Sequence, residues 1–90
     1  MIRPKSMRTI GPSVRQLHAA RVVLDWTQSD LAKASKVGIA TIKKLEHRHR
    51  NSDPAEVVQY KTLAKLVCAL EAEGVEFIID EGRRGISFRG

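Results

Sequence analysis

Ninety residues suffice for one small domain with a modest core, so the fold is either marginally stable or helped by association. A single cysteine excludes an internal disulfide, and no apolar run is long enough for a transmembrane helix, which together fit a soluble cytoplasmic protein. The net charge of +6 is unevenly spread: residues 1–50 carry 11 Lys/Arg against 3 Asp/Glu, or +8, and residues 51–90 carry 5 against 7, or −2. A one-sided basic surface favours a polyanionic partner, although a soluble protein can also simply be basic.

Residues 1–12 hold Arg3, Lys5 and Arg8, no acids, Pro4 and the pair Gly11-Pro12. They lack the apolar core of a secretory signal. The composition reads as a flexible basic arm, either an untethered terminus or a segment that lies along phosphates or enters a minor groove. Ser13 is a candidate N-cap for a first helix running to about Asp25, with Leu17, Ala20 and Leu24 on one stripe and Val23 widening it. Arg21 lies on or beside this apolar face and needs a partner there. His18 reads as a surface or boundary residue.

The next stretch, Thr27 to Glu46, reads as two short helices joined by a tight turn. Thr27 is an N-cap with Asp30 three residues on, and Trp26 and Leu31 stand at the positions of a hydrophobic staple. Leu31, Ala32 and Ser35 share a face. Lys36-Val37-Gly38 is the turn, and Gly38 can cap a second helix over about Ile39 to Arg48. Ile42 and Leu45 point inward, leaving Ile39, Ala40, Lys43 and Lys44 outside.

In these residues the sequence QSDLAKASKVGIATIKKLE resembles the helix-turn-helix of the lambda-repressor-like, XRE-type DNA-binding proteins. The resemblance covers roughly Val14 to Leu70. Leu31, Ala32, Val37, Ile42 and Leu45 occupy the motif's apolar or small positions, and Gln28, Thr41 and Glu46 its polar ones. Two residues depart from it. Lys36 stands where the turn usually has Gly, and a left-handed conformation there costs a side-chain-bearing residue ~1 kcal/mol. Gly38 stands where Ser or Thr usually opens the second helix.

Beyond Glu46, the run His47-Arg48-His49-Arg50 is a dense basic cluster at a helix C-terminus, where cations are favoured. The His47-x-His49 spacing is a poor zinc signal, because residues two apart on a helix do not share a face and no Cys, Asp or Glu pattern supports them. Asn51-Ser52-Asp53-Pro54 reads as a turn, with Asp53 a cap and Pro54 at the first position of a helix reaching about Glu73, with a break near Tyr60 allowed. Val57, Leu63, Ala64, Leu66, Val67 and Leu70 give that helix a wide apolar face. Cys68 reads as a small buried hydrophobe. Gly74 is a helix stop. The tail VEFIIDEGRRGISFRG alternates as a β-hairpin, with its turn within Asp80 to Gly85. Two strands alone are marginal in water, so the hairpin must pack on the helices, pair with another chain, or both. Ile78, on the otherwise polar face, hints at a second covered surface.

The expected fold is mainly α: a lambda-repressor-like bundle of about four helices with a helix-turn-helix, plus a C-terminal β-hairpin. The expected organisation is an arm over residues 1–12, a DNA-binding domain over 13–73 and a hairpin over 74–90 that serves as a candidate dimerisation element. The resemblance implies that the second helix of the motif enters the major groove, with Ile39, Ala40, Lys43 and Lys44 facing bases. It implies that Gln28 and Thr41 face phosphates, and Lys36, Arg48 and Arg50 are further phosphate candidates by charge. It also implies an ion pair between Arg21 and Glu46. Double-stranded DNA is the expected partner and a homodimeric transcriptional repressor, nucleoid-associated when bound, the expected role. The alternative is an antitoxin or other protein-interaction module that binds a toxin or another protein through the hairpin. No nucleophile–base set, phosphate loop or metal cluster points to an enzyme, and no cofactor or membrane association is expected.

Overall fold

The structure, a computed structural model, describes residues 12–48, 50–80 and 83–88. The expected arm falls outside these residues apart from Pro12, and so do His49, Glu81, Gly82 and Arg89. Pro12 is fully buried and belongs to the folded domain rather than to an arm.

The chain forms α1 (Val14–Val23), α2 (Gln28–Ser35), α3 (Ile39–Arg48), the single turn α4 (Pro54–Val57), α5 (Tyr60–Glu71), and strands β1 (Val75–Asp80) and β2 (Arg83–Phe88). The fold is thus mainly helical, with four helices of eight residues or more and a C-terminal antiparallel hairpin. Val14, Leu17 and Ala20 of α1, Leu31 of α2, Ile42 and Leu45 of α3, and Leu63, Leu66, Val67 and Leu70 of α5 meet in one core. Val75 and Phe77 of β1 enter the same core, so the hairpin is built into the domain rather than appended to it.

Local chemistry explains most boundaries. Ser13 caps α1 in a full capping box. Its hydroxyl accepts from the Gln16 amide N–H at 3.1 Å, and the Gln16 side-chain oxygen accepts from the Ser13 N–H at 2.9 Å. Leu24 closes α1, and Asp25 then turns the chain with φ 58, a left-handed conformation that Asp tolerates better than most residues. The helix is one turn less apolar than its stripe suggests. Leu24 is only half-buried, and Val23, expected to widen the apolar face, is 45% exposed because the chain reverses before a neighbour can cover it.

Thr27 and Asp30 form the second capping box, as their spacing implies. At the other end of α2, Lys36 adopts φ 60, ψ 32, the left-handed region, and its N–H donates to the Ala32 carbonyl at 2.9 Å. The side chain is exposed, and the local cost of this conformation is the crowding of its Cβ against the following carbonyl. Buried Ser35 supports the turn, donating to the Leu31 carbonyl at 2.7 Å and accepting from the Val37 N–H. The Gly38 carbonyl accepts from Thr41 and Ile42, which opens α3 where expected.

The break allowed near Tyr60 in the last helix falls at Val58-Gln59. Gln59 is extended (φ −65, ψ 152) and caps α5. The β-branched pair Val57-Val58 is a poor helix continuation, and the break lets both residues pack against the core. Cys68 faces the opposite way from its expected place: it is exposed, on the face of α5 away from Leu63, Leu66, Val67 and Leu70. Its position one residue from Val67 turns it out of the buried stripe. Gly74 takes φ 97 as the chain leaves α5 for β1.

The hairpin register pairs Val75 with Phe88, Phe77 with Ile86 and Asp80 with Arg83. Only two residues therefore join the strands, fewer than the span Asp80 to Gly85 allowed, and Gly85 is a strand residue opposite Ile78. Val75, Phe77, Ile79 and Ile86 face the helices, while Glu76 and Ser87 are exposed. Ile78 is half-buried.

What fastens the hairpin is Gln16. Its side-chain nitrogen donates to the carbonyls of Ile78 and Gly85, both at 2.9 Å, while its oxygen completes the α1 cap. The residue is 4% exposed. Gln16→Leu keeps the bulk and removes the hydrogen bonds. We expect it to cost ~1–3 kcal/mol in urea unfolding, the usual penalty for stranded buried polar groups. A stability unchanged within error would mean that the strand carbonyls do not need this amide.

Candidate nucleic-acid interface

The first three helices meet at one carboxylate. Glu46, near the end of α3, accepts from Arg21 of α1 through both oxygens: Nε to Oε2 at 2.9 Å and Nη2 to Oε1 at 2.8 Å. The Gln28 side-chain nitrogen, at the first position of α2, donates to Oε1 at 3.0 Å. His18 Nδ1 lies 3.1 Å from the same oxygen. The same Nδ1 lies 3.3 Å from Arg21 Nη2, so the imidazole nitrogen sits between the two members of the ion pair. The remaining guanidinium nitrogen of Arg21 donates to the Trp26 carbonyl at 2.7 Å, at the link between α1 and α2. Arg21 and Glu46 side chains are 12% and 9% exposed. The expected pair is present, but it is a four-residue cluster, and His18 is part of it rather than a bystander at the boundary.

This cluster sets the charge of Glu46. Burial acts to raise its carboxyl, but donation from Arg21, Gln28 and His18 outweighs burial and holds it below its ordinary value of 4.5. A carboxyl lowered by folding stabilises the native state above its unfolded value, and that contribution disappears as pH falls through the lowered folded value. Acidification from about pH 5 to about pH 2 is therefore expected to reduce the urea midpoint more in the wild type than in Glu46→Gln. Parallel midpoint curves for the two proteins would show that this carboxyl does not link folding to pH. Asp30, exposed at the start of α2, is also held low by accepting from the Thr27 N–H, so the Gln variant is the necessary reference.

Beyond this fixed end, α3 divides cleanly. Ile42 and Leu45 are buried, at 1% and 3% exposure, while Ile39, Ala40, Lys43 and Lys44 form the exposed stripe. Ile39 with Lys43, and Ala40 with Lys44, are each four apart and so lie in rows along that face. Ile39 is one of the few large apolar side chains left 38% exposed. Thr41 is half-buried beside the stripe, and Lys36 is exposed at the turn before it. Arg48 and Arg50 are exposed at the other end of α3 and just past it. Among the described residues from Lys36 to Ser52 the only carboxylate is Glu46, half-buried and tied to Arg21. The exposed face of α3 therefore carries lysines and apolar side chains and no carboxylate of its own.

No family model and no curated protein matches the chain. Gln28 is the residue that geometry changes most. Expected to face phosphates, it has its side-chain nitrogen turned to Glu46. Arg15, to which the sequence assigns no role, donates through Nε and Nη2 to the Asn51 side-chain oxygen, at 3.0 and 2.8 Å. This contact anchors the loop after α3 to α1. Nothing in the spacing of Arg15 and Asn51 points to it.

Among the described residues no group of three or more His, Cys, Asp or Glu is placed to hold a metal, and His49 lies outside them. No helix among them is long and apolar enough to cross a membrane.

Proposed function

We propose that the chain is a sequence-specific DNA-binding transcriptional regulator, a repressor of the lambda-repressor-like helix-turn-helix kind, that inserts α3 into the major groove as a homodimer. The observation that carries this reading is the acid-free outer stripe of α3, Ile39, Ala40, Lys43 and Lys44, on a helix whose far end is fixed through Glu46.

The stripe has the donors and apolar groups that base edges require. Lys43 and Lys44 donate to guanine O6 and N7, and Ile39 and Ala40 pack on thymine methyls. Lys36, Arg48 and Arg50, with Thr41, contact phosphates and supply salt-dependent affinity with little sequence information. Two copies related by a two-fold axis would read half-sites about one helical turn apart. The competing reading, a toxin-binding or other protein-interaction module using the hairpin, has less support, since Val75 and Phe77 are turned into the chain's own core.

Selection from a randomised duplex pool at two salt concentrations tests the proposal. An enriched inverted repeat, with affinity falling steeply as salt rises, is the expected result. Binding without an enriched motif would reduce the surface to a generic basic face, and no binding at low salt would end the DNA reading. Within an enriched half-site, Lys43→Ala and Lys44→Ala are each expected to cost ~1–3 kcal/mol and to relax one base position. Equal losses on cognate and random duplexes would reassign both lysines to phosphates.

A further inference from the structure

A cleft of about 470 Å³ opens between the start of α1, the loop after α3 and the middle of β2. Its cationic side is Arg15 and Arg50, with Asn51 between the loop and α1. Its apolar side is Ala19 and Ile86, and none of the described residues that line it is acidic. This volume lies within the range of small-molecule sites, ~300–1,000 Å³.

Arg15 is oriented before any ligand arrives. Its Nε and the adjacent hydrogen of Nη2 are committed to the Asn51 oxygen. A guanidinium carries five N–H donors, so three remain, and they include the parallel pair on Nη1 and Nη2 at the end of the group. That pair matches the two oxygens of a carboxylate. Gln16, on the same wall, is occupied with Ser13 and the hairpin carbonyls and so fixes the distance between α1 and β2. Gly85 adds no side chain, and a methyl group built on it would meet no atom within 4 Å, so the β2 side stays open.

We propose that this cleft is a binding site for a small amphiphilic carboxylate, its head on the free end of Arg15 and on Arg50 and its hydrocarbon body against Ala19 and Ile86. The proposal shares Arg50 with the phosphate contacts of the DNA reading, but its test uses the protein alone, so either can fail without the other. Octanoate is the probe, with 1-octanol and inorganic phosphate as comparators, and NMR of the full chain reports the Ile86 methyls and the Arg15 Nε–H. Octanoate is expected to shift both signals saturably, while octanol and phosphate bind at least ~10-fold more weakly, each lacking one half of the recognition. R15Q and R50Q, both at exposed positions, are each expected to weaken octanoate ~10-fold or more, with far-UV circular dichroism unchanged. The site is refuted if octanoate produces no saturable shift at these two residues, or if both variants, still folded, bind it as the wild type does. Octanol binding as well as octanoate would leave only an apolar crevice, and phosphate binding as well as octanoate would leave only a bare anion contact. Either result overturns the amphiphile.

Discussion

Arg21→Ala is expected to destabilise the domain by ~3–5 kcal/mol, the usual result of removing one partner from a buried ion pair. The reason lies in what is left behind. Glu46 keeps Gln28 and His18, but loses both guanidinium bonds and the permanent positive charge of Arg21, in a site where its side chain is 9% exposed. The Trp26 carbonyl loses its donor as well. A loss of this size is a large share of the ~5–15 kcal/mol that holds a typical domain folded. The double variant Arg21→Met, Glu46→Leu separates the two contributions. It removes the charge together with its partner, and we expect it to be far less destabilised than Arg21→Ala, because well-packed apolar replacements of buried pairs are often neutral. If the proposed DNA reading holds, the double variant should still bind duplex with reduced base preference, since α3 has lost the bonds that fix its angle. Urea denaturation of wild type, Arg21→Ala and the double variant decides the first point. An Arg21→Ala midpoint equal to wild type would mean that Glu46 is solvated well enough without its arginine.

Ile42→Ala is the second large effect, expected at ~2–5 kcal/mol for a buried aliphatic truncated to Ala. Ile42 is 1% exposed and lies on the inner face of α3. With Val14, Leu17, Leu31, Leu45 and Leu66 it surrounds a void of about 10 Å³, so this part of the core has almost no slack. The neighbours come from α1, α2, α3 and α5, and a cavity here can be closed only by moving one helix relative to another. Ile42→Val, which removes one methylene, is expected to cost only ~0.5–1.5 kcal/mol. A graded series would establish Ile42 as the packing anchor of α3. Equal effects of Val and Ala would point instead to a change in the unfolded chain.

The parts of this architecture that could be read from the chain are those with short-range causes. Thr27 and Asp30 make a capping box within four residues. Ile42 and Leu45 lie inward because helical spacing puts them opposite Lys43 and Lys44. Val75 and Phe77 alternate because a strand must. The parts that could not be read depend on what arrives from far away in sequence. Whether Val23 is covered depends on where the chain turns after Leu24, and whether Cys68 is inside depends on which side of α5 meets α1 and α2. His18 joins Glu46 only because α3 ends beside α1. Gln16 is the mixed case: Ser13-x-x-Gln16 carries a capping signature in plain view, but its second task, at Ile78 and Gly85, is set by tertiary packing alone. Likewise the stripe on α3 was legible, whereas Arg15 holding Asn51 was not.

The two bonds from Gln16 also bear on how the domain comes to exist in time. They join residues 62 and 69 positions apart in a chain of 90. Contacts of such span are slow to form, because a long segment must close before any of their free energy is gained. During synthesis α1 is made before its partners on the hairpin. The contacts of α1 with α3 through Arg21 and Glu46 span a much shorter stretch of chain than its contacts with the hairpin. A message cut short before residue 75 would yield a protein carrying all of α3 and its lysines but missing Val75, Phe77 and the hairpin carbonyls, and such a product should be cleared by proteolysis rather than accumulate.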